Sequence, residues 1–114
     1  MRIALLVGIN HYSHIGSLHG CVNDAHNVRS ILERHADGSI NFDCDLMISS
    51  SNVDSISRAR LIDQTKKLFN SDAEIALLYF SGHGYISSTG GYILASDASR
   101  GDEGVSLNDI LTFA

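Results

Sequence analysis

The sequence contains no proline, and only two of its 114 residues are cysteine. A chain without proline has no proline-rich linker, and two cysteines are too few for the disulfide framework of a small secreted protein. No apolar run approaches the roughly 18 residues that a membrane-spanning helix needs. The net charge of -5 argues against a nucleic-acid-binding surface. We therefore expect a soluble, cytoplasmic protein that binds neither nucleic acid nor membrane.

The remaining composition is that of one globular domain. Hydrophobic residues make up 44% of the chain and charged residues 18%, which is enough apolar material for a core. Continuous apolar runs over 3–9 and 75–80 predict strands buried on both faces, the second of them central in its sheet. A weakly alternating run over 42–48 predicts a less buried strand.

Apolar residues at helical spacing lie between these strands, on 25–36 and 56–69. The N-caps that we expect are Asn23 or Asp24 for the first helix and Asp54 or Ser55 for the second. Alternating strands and helices with crossovers of this length predict parallel strands joined by right-handed connections. The fold class predicted is therefore α/β, with a mostly parallel sheet between two layers of helices.

The C-terminal third of the sequence predicts smaller elements. Two short β-prone segments flank Gly90 and Gly91 and predict a hairpin, and Ser106 is the expected cap of a last helix over 107–113. The sequence stops inside this helix, with no later strand. We therefore expect residues 1–114 to be an incomplete domain.

The third strand ends in Ser81, Gly82, His83 and Gly84. Open α/β sheets bind ligands at the carboxyl ends of their strands, where an imidazole could act as a general base. The backbone N–H of Gly84 could form half of an oxyanion hole beside it. The alternative is that His83 only forms a hydrogen bond to a neighbouring loop.

A second candidate group follows the first strand. Asp24 could select a cationic substrate side chain, although a helix cap with a buried Cys21 is the structural alternative. His11, His14 and His19 lie close to Cys21 in the sequence. Their spacing matches no compact zinc site, so a solvated loop is the preferred interpretation.

Acidic residues cluster after the hairpin. Such a cluster is usually a solvated face, and a calcium site is the alternative because calcium prefers oxygen ligands. The members are Asp97, Asp102, Glu103 and Asp109.

Three segments, in this order, resemble the caspase-like cysteine peptidases, and most of all their metacaspase and prokaryotic caspase-homologue branch. They are ALLVGIN (4–10), LHGCVNDA (18–25) and LYFSGHG (78–84). The resemblance covers nearly the whole chain. It implies a three-layer caspase-like fold and a cysteine endopeptidase with a Cys–His dyad that acts on a protein or peptide.

The resemblance also implies roles for particular residues. His83 matches the catalytic histidine, and Gly84 matches the residue whose N–H contributes to the oxyanion hole. Asp24 matches an acidic residue of the specificity pocket, which implies cleavage after Arg or Lys, and Cys21 matches a cysteine near that pocket. Asp97 and Asp109 resemble calcium-associated aspartates of metacaspases, but Asn108 replaces one member of a usual aspartate pair.

The family's catalytic cysteine belongs to the next strand, in an Asp-x-Cys-x-Ser/Gly block that this sequence does not contain. We therefore expect the chain to be the large-subunit part, which pairs with a small-subunit segment carrying the cysteine. A non-catalytic caspase-like binding or regulatory module is the alternative. A serine hydrolase using Ser81 or Ser13 is disfavoured, because no Gly-x-Ser-x-Gly elbow is present.

Overall fold

Three parallel strands form the main sheet of the computed structural model, which describes residues 1–100 and 103–114. The sheet order is β2-β1-β3, and helices α1 and α2 form the two crossovers. The predicted α/β class with a parallel sheet flanked by helices is thus confirmed. The elements are β1 (Arg2–Ile9), α1 (Cys21–Leu32), β2 (Asp43–Ser49), α2 (Arg58–Phe69) and β3 (Ile75–Ser81).

The central strand β1 is covered on both faces. Leu5, Val7 and Ile9 pack into the core that contains Leu61 and Leu68 of α2. The alternate residues Ala4 and Leu6 pack with Ala25 of α1. Two buried faces explain why β1 has a continuous apolar run rather than an alternating one.

The prediction that β3 is a central strand buried on both faces is wrong for the described residues. There β3 pairs only with β1, as the edge of the sheet, and Ile75 is 47% exposed. Its other residues are partly buried, and their apolar side chains pack alternately against the two cores on the two faces of the sheet. An apolar run reveals that a strand is buried by helices, but it does not reveal the strand's neighbours.

A second, antiparallel sheet follows β3 and confirms the predicted hairpin. Its order is β4-β5-β6, and the turn falls on Ser88 and Thr89 rather than on the two glycines. The two-residue strand β6 was not predicted from the sequence. Ser106 caps α3 as predicted, since its Oγ accepts the N–H of Asn108 at 3.2 Å. These elements are β4 (Gly84–Ser87), β5 (Gly90–Ile93), β6 (Val105–Ser106) and α3 (Leu107–Phe113).

The predicted N-cap of α1 is wrong. The helix begins at Cys21, after Gly20, so Asn23 and Asp24 lie within its first turn. The cap comes from Asn10 at the end of β1, whose Oδ1 accepts the N–H of Cys21 at 2.8 Å and that of Val22 at 3.2 Å. A side chain eleven residues away in sequence therefore satisfies the N–H groups that a local cap would otherwise satisfy.

The predicted caps of α2 are also wrong. Ser57 is the N-cap, and its Oγ accepts the N–H of Arg60 at 3.1 Å. Asp54 instead closes the preceding turn, where Oδ1 accepts the N–H groups of Ser50 and Ser51 at 2.8 Å each. Local turn formation thus uses the carboxylate that the sequence pattern assigned to the helix.

The end of α1 differs from the prediction as well. The helix ends at Leu32, four residues before Ala36. The chain then turns at Gly38, whose φ is +85°. That conformation favours glycine, and it allows the chain to reverse toward β2.

A buried pair of serines joins the main sheet to the chain after β5. Ser49 and Ser96 are both fully buried, and the Oγ of Ser96 donates to the Oγ of Ser49 at 3.1 Å. Ser96 also binds Ile56 twice, since its Oγ accepts the N–H of Ile56 at 3.1 Å and its N–H donates to the Ile56 carbonyl at 2.8 Å. In the described part of the chain, no helix is long and apolar enough to cross a membrane.

Candidate active site

The carboxyl edge of the main sheet gathers three of the sequence-predicted residues. His83 and Gly84 follow β3, and Asp24 projects from the first turn of α1. A hydrogen bond of 2.8 Å from the Oγ of Ser81 to Oδ2 of Asp24 joins the helix to the end of the strand. The parallel topology explains this meeting, because strand ends and the helix after β1 share one edge.

The imidazole of His83 is anchored through one nitrogen. Its Nε2 lies 2.6 Å from the carbonyl oxygen of Gly16. A carbonyl can only accept a hydrogen bond, so Nε2 carries a proton and donates. In the neutral ring the lone pair is then on Nδ1, which is the nitrogen that could accept a proton from a nucleophile.

Tyr12 holds the backbone of His83. The His83 N–H donates to the Tyr12 hydroxyl at 2.8 Å, and that hydroxyl donates to the Leu94 carbonyl at 2.9 Å. The two aromatic rings meet edge to face, with centroids 4.7 Å apart. Burial raises the pKa of Tyr12 to about 12, so the phenol is protonated at neutral pH.

Asp24 is exposed to solvent, as a carboxylate that binds a substrate cation must be. Its Oδ2 accepts from Ser81, and Oδ1 accepts no hydrogen bond from the described residues. The hydroxyl of Ser81 is therefore directed to a carboxylate, and that of Ser13 lies 3.4 Å from Nε2 of His11. The structure thus gives no hydroxyl–imidazole pair between either serine and His83.

The two cysteines occupy different places. Cys21 is buried, at 8% exposure, and begins α1, where Gly8 of β1 allows a close approach. A Cβ at Gly8 would lie 2.5 Å from the Cys21 carbonyl oxygen. Cys44 lies on β2 and its pKa is raised, chiefly by burial. Within the described residues, neither thiol forms a hydrogen bond to a histidine.

Cys44 is also remote from the sheet edge that carries His83. It aligns with Leu77 across β1, since both residues pair with Ala4. From Leu77, β3 continues for four residues to Ser81, about 13 Å of strand, before the chain reaches His83, and β2 lies on the opposite side of β1 from β3. This thiol therefore cannot reach the imidazole in the folded chain.

The acidic residues after the hairpin are dispersed. Asp97 accepts the N–H of Arg58 through both carboxylate oxygens, at 3.1 and 3.2 Å, and so binds the start of α2. A hydrogen bond from Ser99 lowers the pKa of Glu103, and Asp109 is exposed on α3. Asp102 is outside the described residues, among which no group of three or more His, Cys, Asp or Glu could hold a metal ion.

Three residues of this edge were not predicted from the sequence: Asn10, Tyr12 and Gly16. All three follow β1. Asn10 was predicted only as the end of the first strand, and Tyr12 and Gly16 lie in the loop that was predicted to be solvated. Its ends are joined by a 2.8 Å hydrogen bond from the N–H of Leu18 to the carbonyl of Asn10. The sequence could have indicated that this segment lies at the carboxyl edge of the sheet, because it follows β1. It could not indicate the hydrogen-bond partners, because these are distant in the sequence.

Comparison with models of protein families gives a match over nearly the whole chain. Residues 1–112 match the family model described as the caspase domain. No curated protein matches the chain significantly. The family match covers nearly the entire chain, including His83, Asp24 and the sheet that joins them, although it does not distinguish a metacaspase branch. The chain belongs to the caspase domain family and is cysteine-peptidase-like.

Proposed function

We propose that the chain forms the histidine-bearing part of a caspase-like cysteine endopeptidase that cleaves after Arg or Lys. The observation that carries the proposal is the arrangement at one sheet edge. There Nε2 of His83 is fixed on Gly16, while Ser81 holds Asp24 nearby. The family match makes a thiol the expected nucleophile.

His83 would act as the base through Nδ1. It takes the thiol proton of the catalytic cysteine, and the thiolate attacks the carbonyl carbon of the scissile bond. The backbone N–H of Gly84 donates to the oxyanion that forms. The imidazolium then returns its proton to the leaving amine, and water, deprotonated by His83, hydrolyses the thioester to release the carboxylic acid and the free thiol.

Asp24 would set the specificity. Its exposed carboxylate can form a charge-assisted hydrogen bond with a guanidinium or ammonium group. Because Ser81 binds only Oδ2, Oδ1 is available to the substrate. Cys21, in the same helical turn, would line this pocket from its buried side rather than react.

The nucleophile in this proposal comes from a small-subunit segment beyond the described residues. Cys44 lies on β2, on the opposite side of β1 from β3, and about 13 Å of strand before the end of β3 that leads to His83. The side of β3 that has no partner among the described strands offers a pairing edge to such a segment. Calcium binding through Asp97 and Asp109, as the resemblance to metacaspases implies, would require ligands from outside the described residues, among which no group of three or more His, Cys, Asp or Glu could hold a metal ion. A cytoplasmic location is a further part of the proposal.

The test is cleavage of fluorogenic Arg, Lys and Asp peptides by the full-length gene product, with and without calcium. His83→Ala should lower the rate by about 100-fold or more, whereas His35→Ala, in the exposed turn after α1, should not. Asp24→Ala should lower kcat/KM for Arg and Lys peptides by about 10- to 100-fold. Equal activity of the wild type and His83→Ala would refute the assigned base.

A non-catalytic caspase-like module is the second candidate. It is favoured by the observation that neither described thiol contacts His83. A folded full-length protein that cleaves none of the three peptide classes would support this candidate. An inactive zymogen would give the same result. If the protein binds a partner and His83→Ala binds that partner equally well, the binding module is favoured over the zymogen.

A further inference from the structure

One phenol hydroxyl closes a ring of hydrogen bonds around His83. Tyr12 accepts from the His83 N–H at 2.8 Å and donates to the Leu94 carbonyl at 2.9 Å. The Leu94 N–H in turn donates to the His83 carbonyl at 3.0 Å. Both backbone groups of His83 are therefore held. Tyr12 binds the N–H, and Leu94, which directly follows β5 and is itself bound by Tyr12, binds the carbonyl.

We propose that Tyr12 is a positioning residue that fixes the imidazole of His83 and the adjoining N–H of Gly84. The inference rests on the proposed peptidase function, because it concerns the base and the oxyanion donor of that reaction. Holding the N–H and the carbonyl of His83 fixes the two peptide planes on either side of it. The second of these planes contains the N–H of Gly84.

The side chain of His83 is held from the same segment. The ring edge packs against Tyr12 at an interplanar angle of 64°, and Nε2 donates to Gly16, four residues further along the chain. A hydrogen bond from the Tyr12 N–H to the Oγ of Ser17, at 3.4 Å, helps to order this segment. One segment thus sets both the backbone and the ring orientation of the base, as a positioned catalytic group requires.

Gly82 makes room for this arrangement. A Cβ at position 82 would lie 2.6 Å from the Tyr12 hydroxyl oxygen and 2.8 Å from Cζ of Phe80. The hydroxyl therefore occupies the space of the missing side chain. Because Tyr12 has a pKa of about 12 and is only 4% exposed, the group stays a neutral phenol that can donate and accept at once.

A purely structural role for Tyr12 predicts a different result. If only the buried ring mattered, Tyr12→Phe would preserve the core and leave His83 unaffected. In a positioning role the hydroxyl itself matters, since its loss frees the His83 N–H and the Leu94 carbonyl. Tyr79→Phe is the matched control, because the partly buried Tyr79 of β3 has a hydroxyl that forms no hydrogen bond with the described residues.

The test is an NMR comparison of the wild type, Tyr12→Phe and Tyr79→Phe. Amide exchange of His83 should become about five- to tenfold faster in Tyr12→Phe, which corresponds to the loss of one hydrogen bond. Long-range proton–nitrogen spectra, assigned with His83→Gln, should show the neutral ring moving from a single Nε2–H tautomer to a mixture. Tyr79→Phe should change neither measurement, and an unchanged Tyr12→Phe spectrum would overturn the proposal.

A second variant and a kinetic measurement test the same proposal independently. Gly82→Ala should displace the hydroxyl and reproduce the change if Tyr12→Phe does not fold. In the full-length peptidase, Tyr12→Phe should lower kcat by about tenfold with little change in KM. Absence of cleavage by the wild type would refute the peptidase but not the NMR result, so the two failures are distinguishable.

Discussion

Replacing Asn10 with alanine should destabilise the start of α1, although Asn10 lies outside this helix, directly after β1. The Oδ1 of Asn10 accepts the N–H groups of Cys21 and Val22 at 2.8 and 3.2 Å. Both donors are partly buried, and they belong to the first turn of the helix, which has no other side-chain cap. Alanine keeps the backbone of residue 10 and removes only this acceptor.

The expected loss is about 1.5 kcal/mol of unfolding free energy, in the upper part of the range for removing an N-cap acceptor, because two N–H groups lose their partner. For a chain of 114 residues, this free energy corresponds to a Tm lower by about 6 °C. Urea unfolding followed by circular dichroism measures the free energy, and a thermal scan measures Tm. Asn10→Asp keeps an acceptor and adds a favourable charge at the helix N-terminus, so its stability should equal or exceed that of the wild type.

Asn23→Ala is the matched control, because Asn23 is one of the two residues, with Asp24, that the sequence pattern predicted as the cap. In the structure Asn23 is exposed within the first turn, and alanine has the better helix propensity. Its substitution should therefore raise stability, by up to about 0.5 kcal/mol. A destabilised Asn23→Ala together with an unaffected Asn10→Ala would refute the observed cap.

Three further predictions concern packing and pH. Gly8→Ala should cost about 2 to 3 kcal/mol of unfolding free energy in urea, because its Cβ would lie 2.5 Å from the Cys21 carbonyl; Gly16→Ala, with open space around it, should cost less. Hydrogen bonds, chiefly from the Ser51 N–H, lower the pKa of Asp54, so its stabilisation is present above about pH 4 and is lost at lower pH. Asp54→Asn should flatten that acid loss in urea unfolding. Tyr12, with a pKa of about 12, should ionise well above pH 10 in an absorbance titration, and its stabilisation should disappear as the pH rises from about 10 through 12.

The sequence predicted the strands and crossovers well because their signals are local. The apolar run of β1 follows from burial on both faces, and each predicted strand lies within one or two residues of the observed one. The N-caps were predicted wrongly because Asn10 reaches α1 through the fold, while Asp54 is used by its own turn. A capping pattern identifies suitable side chains but not the nearest N–H groups in three dimensions.

The candidate site was only partly predictable for the same reason. The residue types around His83 and the family resemblance identified the strand end, and the topology brought Asp24 to it. The contacts of Tyr12 with His83 and Leu94 span 71 and 82 residues of sequence. No periodicity carries information about contacts at such separations. The proposed roles of all the candidate site residues stay predictions: His83, Gly84, Asp24, Cys21, Asp97 and Asp109.

The buried hydrogen bond between Ser49 and Ser96 should resist local unfolding of the chain after β5. Separating the main sheet from the chain after β5 would leave the hydroxyls of Ser49 and Ser96, and the N–H of Ile56, without partners in an apolar interior. Opening at this seam is therefore expected to be costly, and the segment that carries Leu94 should exchange its amide hydrogens more slowly than the exposed loops do. The backbone of His83, whose carbonyl accepts the N–H of Leu94, should share this protection.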